Sequence, residues 1–470
     1  MSLQFFDTRR RKKLPFTPLH DGKVGVYNCG PTIYDFAHIG NFRSYIFTDT
    51  LRRWLEVKGF DVLQVMNLTD VDDKTIRRSQ EEKLPLNDYT ARYREAFFAD
   101  IDTLNIQRAH VYPEATTHID VMVELVQNLL DSGNAYKAED GSIYFSVSSF
   151  ANYGTLSGKR LEDLRVGERV SSDEYESKDD VRDFALWKAY DEADGDVFWE
   201  TPFGKGRPGW HLECSAMSTK YLGHDFDIHT GGVDLVFPHH ENEIAQSLCG
   251  IGGDFAHWWL HNEHLIIEGR KMSKSLGNFY TLRDIIEMGY SPREIRYVLA
   301  ATHYRSKLNF TFDGLKAARA AIERIDEFHA SWATYPEGEA VPEATEAIER
   351  AEAGFFSAMD DDLNVSGALA HVFTLIREIN ALHHEGRATQ GLLPQLTELW
   401  EKFDHALSLF NPFGEEAADP ESERIDALVA ERWQARADKN WARADEIRDQ
   451  LAAEGIELKD GADGTRWKRK

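Results

Sequence analysis

Three cysteines, Cys29, Cys214 and Cys249, are spread over 470 residues, and no two of them form a Cys-x-x-Cys pair. So few thiols in so long a chain argue against a disulfide framework and for a reducing compartment. Thiolates are also soft metal ligands. Cys29 ends the strand-like KVGVYNC, Cys214 follows GWHLE, and the stretch PHHENE places His239 and Glu243 at i, i+4 on one helix face. Two thiolates, an imidazole and a carboxylate are zinc-compatible donors, although from spacing alone His240 and Glu241 compete for the same places. Cys249 matches no motif and reads as a small core residue. The His-x-Glu at 239–241 lacks the Pro-Cys-x-x-Cys of a nucleobase deaminase. Asp70, Asp72 and Asp73 lack the glycine and distal glutamate of a calcium loop and read as a strand-end turn.

A second group of residues is suited to phosphates. Neither a Gly-x-x-x-x-Gly-Lys-Ser/Thr loop nor a Gly-x-Gly-x-x-Gly turn occurs. Instead His38-Ile39-Gly40 opens a helical stripe, and KMSKS at 271–275 lies in the polar stretch GRKMSKSLGN. Glycine permits close approach of a nucleotide to the backbone, and a helix N-terminus offers amide donors to phosphate. Imidazole and ammonium groups can then offset charge that builds up in a transition state.

The elements that must carry these residues follow from periodicity. Lys23 to Cys29 reads as a strand stopped by Gly30-Pro31, the stripe Phe42, Tyr45, Ile46, Leu51, Trp54 and Leu55 as a helix closed by Lys58-Gly59, and Val62 to Leu68 as a second strand. This β, turn, helix, β unit belongs to a parallel sheet whose ligands sit beyond the carboxyl ends of the strands. From about 110 to 200 the pattern is irregular and acidic, as in an insertion. Strands are expected again at Phe226 to His229 and Trp258 to Ile267, with helices at Pro238 to Leu248 and Leu282 to Met288. After Phe312 the chain reads as all helix, with Leu315, Ala318, Ile322 and Ile325, then Leu369, Val372, Phe373 and Ile376, then Leu396, Leu399, Trp400 and Phe403 as core faces. Acidic proline-bearing linkers at 335–346 and 411–423 separate the pieces, and helices near 424–436 and 440–453 precede a hairpin. The fold class is therefore α/β: a Rossmann-type parallel-sheet catalytic domain at 1–310 split by an insertion, a helical bundle at 311–411, and a small C-terminal α+β domain at 424–470.

The net charge of −26 argues against general polyanion binding, so any nucleic-acid contact must be local. Basic clusters occur at Arg9, Arg10, Arg11, Lys12 and Lys13, and at Arg466, Lys468, Arg469 and Lys470. No run approaches the ~20 apolar residues of a membrane span, and the start of the chain does not resemble a signal peptide. A cytoplasmic protein with no membrane partner is expected.

CGPTIYDFAHIGN (29–41), GWHLECSAM (209–217), FDIHTGGVDLVFPHHENEIAQS (226–247) and KMSKS together resemble the cysteinyl-tRNA synthetases, a family of class I aminoacyl-tRNA synthetases. The resemblance continues through AMDDDLN (358–364) to the terminal GTRWKRK. It implies activation of L-cysteine by ATP with Mg²⁺ and transfer to tRNA(Cys) by a monomer. It maps a single Zn²⁺ per chain onto Cys29, Cys214, His239 and Glu243, and phosphate contact onto His38, Gly40, Asn41, Lys271 and Lys274. Thr69, Trp210 and Asp234 become the cysteine pocket, with Asp234 meeting the ammonium group. Trp441, Arg466 and Lys468 become tRNA contacts, and the bundle is expected to touch the tRNA stem. Asn41 departs from the class pattern HIGH, where a second histidine is usual.

The metal has a physical rationale, because a pocket that distinguishes small side chains by size gains only ~1–3 kcal/mol. A zinc ion that accepts a thiolate and leaves serine's hydroxyl a poor ligand discriminates by bond type, and no editing domain is then needed. Two other functions compete: a ligase that passes activated cysteine to an amino sugar, and a non-catalytic tRNA-binding relative.

Overall fold

The structure is a computed structural model that describes residues 2–159, 180, 182–412, 420–438, 440–461 and 464–469. It separates into two units, residues 1–411 and 412–470.

At the centre of the first unit is a parallel sheet. Strand β1 (Lys23–Asn28) passes through helix α1 (Ile39–Val57) to strand β2 (Asp61–Met66), with Val24 opposite Val62 and Asn28 opposite Met66. The helix forms where the apolar stripe predicts it: Phe42, Ile46, Leu51, Trp54 and Leu55 are fully buried. It stops at Lys58, and Gly59 follows at φ +87°, a left-handed position that favours glycine after a helix end. Strands β3 (Asp225–Gly232) and β4 (Phe255–Asn262) complete the order β4-β3-β1-β2, all parallel. The chain thus grows outward from β1 to β2 and later resumes on the other side of β1. The gap beyond the ends of β1 and β3 is the switch point at which such sheets bind ligands. Helices α2 (Trp210–Leu222) and α3 (Glu241–Gly250) pack beside it.

Two expected strands have different limits. Strand β3 runs on to Gly232, beyond His229. The expected strand Trp258 to Ile267 is broken after Asn262, where Glu263 donates its N–H to the Tyr304 carbonyl. Leu265–Ile267 then joins a small separate sheet between Arg270–Lys271 and Leu308–Phe310. The irregular stretch before β3 contains helix Ile119–Asp131 and a five-stranded antiparallel sheet, of which Ala135–Lys137, Ile143–Phe145 and Trp199–Thr201 have three residues each. Strands that short carry no readable alternation. Residues 160–179 of this stretch lie outside the described ones.

The helices Phe312–Ser331, Pro342–Asp360, Val365–His384 and Leu393–Leu407 form a bundle whose core is continuous with the apolar residues on one side of the sheet. Ile325, Leu369, Val372, Ile376, Leu396, Trp400 and Phe403 are buried as expected, whereas Phe373 is only half-buried. The acidic run AMDDDLN is the joint between the layers. Asp360 accepts from Trp54 Nε1 at 3.2 Å and Lys58 Nζ at 3.0 Å, and Asp362 accepts from Phe6 N at 2.8 Å and Tyr304 Oη at 2.5 Å. At the N-terminal basic cluster, Arg10 donates to the His257 carbonyl and Lys13 pairs with Asp361.

In the second unit, helices Pro420–Ala437 and Trp441–Ala453 lie with the hairpin Ile456–Gly461 and Gly464–Arg469 around Ile425, Val429, Ile447, Leu451 and Ile456. Among the described residues, no helix is long and apolar enough to cross a membrane.

Candidate active site

Beyond the carboxyl ends of β1 and β3 lies a cavity of about 600 Å³. Its walls come from Cys29 to Thr32, the start of α1, Gly231 to Leu235, Asn262 to Ile266, and Lys271 with Met272.

Cys29 leaves β1 at the floor of this cavity. Its Sγ lies 3.9 Å from Cys214 Sγ on α2, 3.9 Å from Glu243 Oε1 on α3, and 3.4 Å from His240 Nε2. His239, on the turn before α3, places Nε2 at 3.0 Å from Glu243 Oε1. A tetrahedral zinc with bonds of ~2.0–2.3 Å sets its ligands roughly 3.3–3.8 Å apart, so this donor set fits such an ion. A second set shares two of its members: His229 Nε2 is 2.9 Å from Glu243 Oε2, and His240 Nε2 is 3.9 Å from Glu243 Oε1. The competitor Glu241 is drawn elsewhere, because its carboxylate accepts from Ser157 N at 2.8 Å.

Histidines absent from the sequence-based set back both groups. His211 Nδ1 meets His239 Nδ1 at 2.8 Å, His240 Nδ1 meets His261 Nε2 at 2.7 Å, and His261 Nδ1 reaches Thr8 Oγ1 at 2.7 Å. Such contacts fix which ring nitrogen faces the centre. Burial dominates the electrostatics. It pushes the Cys29 thiol and the Glu243 carboxyl up, and it pulls His239 and His240 well below the imidazole range and His211, His229 and His261 down to about 3. A buried cluster rich in acidic donors and neutral imidazoles is complemented by a cation.

His38 caps α1. Its Nδ1 accepts from Asn41 N at 3.2 Å, and Asn41 Oδ1 accepts from His38 N at 3.0 Å, so the residue that replaces the class histidine closes a capping box. Because Nδ1 is an acceptor, the neutral ring carries its proton on Nε2. Burial lowers the ring's pKa. Gly40 lines the same wall, and a Cβ there would lie 3.0 Å from the His38 ring.

The other expected residues are distributed unevenly. Lys271 and Asp234 line the cavity. Lys274 does not; its Nζ pairs with Asp35 Oδ2 at 2.7 Å on the surface nearby. Trp210, 41% exposed, stacks on His239 with ring centroids 4.2 Å apart. Thr69 is buried outside the lining and donates to Glu213 Oε2 at 2.7 Å. In the second unit Trp441 is exposed; Arg466 and Lys468 lie on the last strand, with side chains outside the described ones, and Lys470 lies outside the described residues. Sequence reasoning missed Asn262, Glu263, His264 and Lys307, which also line the cavity. The polar break HNEH at 261–264 was the available signal that β4 ended there.

The chain resembles known proteins along its whole length. Residues 15–320 match the family described as tRNA synthetases class I (C) catalytic domain, residues 354–411 the DALR domain, and residues 419–467 the cysteinyl-tRNA ligase anticodon binding domain. The chain is 47% identical to the cysteine–tRNA ligase of Brachyspira hyodysenteriae, covering 99% of each, and 48% identical to that of Solibacter usitatus, covering 100% of each. Among solved structures it shares the fold of Mycobacterium tuberculosis methionyl-tRNA synthetase in complex with methionyl-adenylate, at 14% identity and a TM-score of 0.64, covering 82% of this chain and 92% of the other. With a matching catalytic-domain model over more than half its length and relatives alike from end to end, the chain belongs to the cysteine–tRNA ligase family of class I aminoacyl-tRNA synthetases.

Proposed function

We propose that this protein activates L-cysteine with ATP and transfers it to the 3′-terminal ribose of tRNA(Cys). The observation that carries the reading is that one cavity is lined both by Cys29, which joins a buried donor cluster at the end of β1, and by a capped helix start nine residues later. The cysteine carboxylate attacks the α-phosphorus of ATP, and the bond to pyrophosphate breaks. A ribose hydroxyl then attacks the acyl carbon, and AMP leaves.

The chain's own groups divide this work. The amides at the start of α1 and the Nε2–H of neutral His38 donate to the phosphates, a role that needs no charge on the ring. Lys271 adds a cation from the cavity wall, and Lys274 reaches the phosphates once it exchanges Asp35 for them. Asp234 receives the substrate ammonium. Trp210, held flat on His239, covers the amino-acid end. Cys29, Cys214, His239 and Glu243 hold Zn²⁺, which supplies a Lewis acid selective for a soft thiolate over an alcohol. This set is preferred to the one with His229 and His240 because it contributes a second sulfur. Mg²⁺ accompanies ATP. Trp441, with Arg466 and Lys468, serves the tRNA. The anticodon-domain match at 419–467 favours tRNA over an amino sugar as acceptor.

The test is cysteine-dependent ATP–pyrophosphate exchange, followed by charging of tRNA(Cys), with metal content measured in parallel. About one zinc per chain is expected, lost or weakened in Cys214→Ser together with exchange. Cobalt loading separates the two donor sets: Cys214→Ser roughly halves the thiolate charge-transfer band if Cys214 is a ligand and leaves it unchanged if His229 and His240 are. Exchange without charging, combined with transfer to an amino sugar, would reassign the acceptor.

A further inference from the structure

The ladder between β1 and β2 ends at the pair Asn28 and Met66. Beyond it, the Gly30 N–H donates not to a strand but to a side chain, Asn67 Oδ1, at 2.9 Å. A backbone amide can only donate, so this bond fixes which end of the Asn67 amide is oxygen and turns Nδ2 the other way. Asn67 Nδ2 donates to Thr69 Oγ1 at 3.2 Å, and Thr69 Oγ1 donates to Glu213 Oε2 at 2.7 Å. The three side chains are at most 2% exposed. Each bond in this relay sets the direction of the next.

The relay begins and ends beside the two thiols. Gly30 follows Cys29 at the exit of β1, and Glu213 precedes Cys214 in the first turn of α2. The two sulfurs lie 3.9 Å apart, although their residues are 185 positions apart and belong to a strand exit and a helix. Two bonds of ~2.3 Å at a tetrahedral zinc place their sulfurs roughly 3.8 Å apart. Packing alone does not account for the groups between them. A carboxyl taken wholly out of water with a single hydrogen bond costs stability, and a hydrocarbon side chain in its place would cost less. Glu213 is such a group: its Oε1 has no partner among the described residues, so the Thr69 hydroxyl alone orients it. Thr69, outside the cavity lining, spends its only hydroxyl proton on that bond.

We propose that Asn67, Thr69 and Glu213 are positioning residues that hold Cys29 and Cys214 at the separation a metal bound by both sulfurs requires. The proposal rests on the assignment of both cysteines to Zn²⁺ given above, and it adds what sets the distance between them. Loss of one link frees the first turn of α2 to move against the exit of β1. A site whose ligand distances tolerate only about 0.2 Å responds to such a shift, as it does to the loss of other groups that orient its ligands.

Zinc affinity of the full chain, measured by chelator competition without substrates, tests it. Thr69→Val cuts the relay in the middle at nearly constant shape, and Asn67→Ala cuts it at a second link should the first variant fold poorly. Each should weaken zinc binding by about 10- to 100-fold and shift the visible bands of the cobalt-loaded enzyme, which report ligand geometry. Thr69→Ser keeps the hydroxyl and should return affinity to within about threefold of the parent, with the parental bands. A relay that serves the fold alone would lower the melting midpoint of Thr69→Val and leave zinc affinity and cobalt bands as in the parent, and that result overturns the proposal. Exchange assays keep the two readings apart. A chain that binds zinc without activating cysteine, and whose variants lose affinity, refutes the function and supports the relay. An active chain whose variants bind zinc like the parent refutes the relay alone, and a parent that binds no zinc overturns the relay together with the metal assignment.

Discussion

Replacing Gly30 by alanine should disable the site while leaving the fold intact. A Cβ at Gly30 would stand 1.7 Å from the Asn67 carbonyl oxygen and 2.9 Å from its carbon, distances no pair of non-bonded atoms can hold. Asn67 cannot retreat freely, since its own Oδ1 accepts the Gly30 N–H at 2.9 Å. The exit of β1 must therefore move from that of β2 by more than an ångström. Overpacking of this kind costs about 1–3 kcal/mol, which a domain with this core survives. Cys29 is the adjacent residue, however, and metal–ligand distances tolerate only about 0.2 Å, while a displacement near 1 Å can cost about 10²-fold in rate. Zinc per chain should fall well below the parent value, and cysteine-dependent exchange by at least about 10²-fold, with little change in circular dichroism. Gly25→Ala is the control: it lies on the same strand, but its Cβ would make only ordinary contacts of 3.5 Å with Leu222 and Phe226. A Gly30→Ala enzyme with full zinc and near-parental exchange would refute the steric reasoning.

Burial lifts the Asp70 carboxyl to about 6, against the hydrogen bonds from Thr116 that favour its ionised form. A raised folded-state pKa contributes stability that is fully present below the usual aspartate range and is lost as pH rises through 6. Asp70→Asn should therefore raise the melting midpoint at pH 8, by an amount equivalent to roughly 3 kcal/mol at most, and not at pH 4; an equal gain at both would contradict it. Asn41→Ala removes the acceptor of the His38 N–H and should weaken the helix start by about 1 kcal/mol. Exchange kinetics should then show a several-fold higher KM for ATP with zinc content unchanged, and loss of zinc instead would show that the cap supports the metal end. Asp35→Asn releases Lys274 from a partly exposed pair that contributes under about 1 kcal/mol. The KM for ATP should fall by less than about fivefold, and a rise would show that Asp35 orients Lys274 productively.

The β, turn, helix, β unit was legible because its apolar residues recur at periods that single windows detect, and Cys29 and His38 lie where that topology puts ligands. The five-stranded sheet was not, since its three-residue strands are too short to show alternation. Long-range polar pairs were equally hidden. Trp54 and Asp360 are 306 positions apart, so the acidic run that joins the sheet to the bundle looks like a solvated stretch in sequence. Phe373 sits correctly in its helical stripe, yet the period alone cannot tell a core ring from one that supports an arginine, here Arg324. The donor His229 and the backing histidines His211 and His261 come from separate elements with no shared spacing, and only folding assembles them.

The short distance in sequence between Cys29 and His38 explains the division of the cavity. Both ends of the reaction depend on the segment that leaves β1, and backbone bonds hold that segment before any ligand arrives. Ile33 N donates to the Thr69 carbonyl at 3.0 Å, Thr69 N to the Pro31 carbonyl at 3.1 Å, and Ile39 N to the Tyr280 carbonyl at 3.1 Å. The first two tie the turn after Cys29 to the end of β2, and the third ties the start of α1 to the segment that follows KMSKS. In the proposed reaction, a carboxylate near the donor cluster and a phosphate at the helix start would thereby be positioned by one continuous piece of main chain. Side-chain substitutions at either end should alter affinity for one substrate, whereas main-chain disturbance between them should affect both, since the geometry of attack belongs to neither site alone.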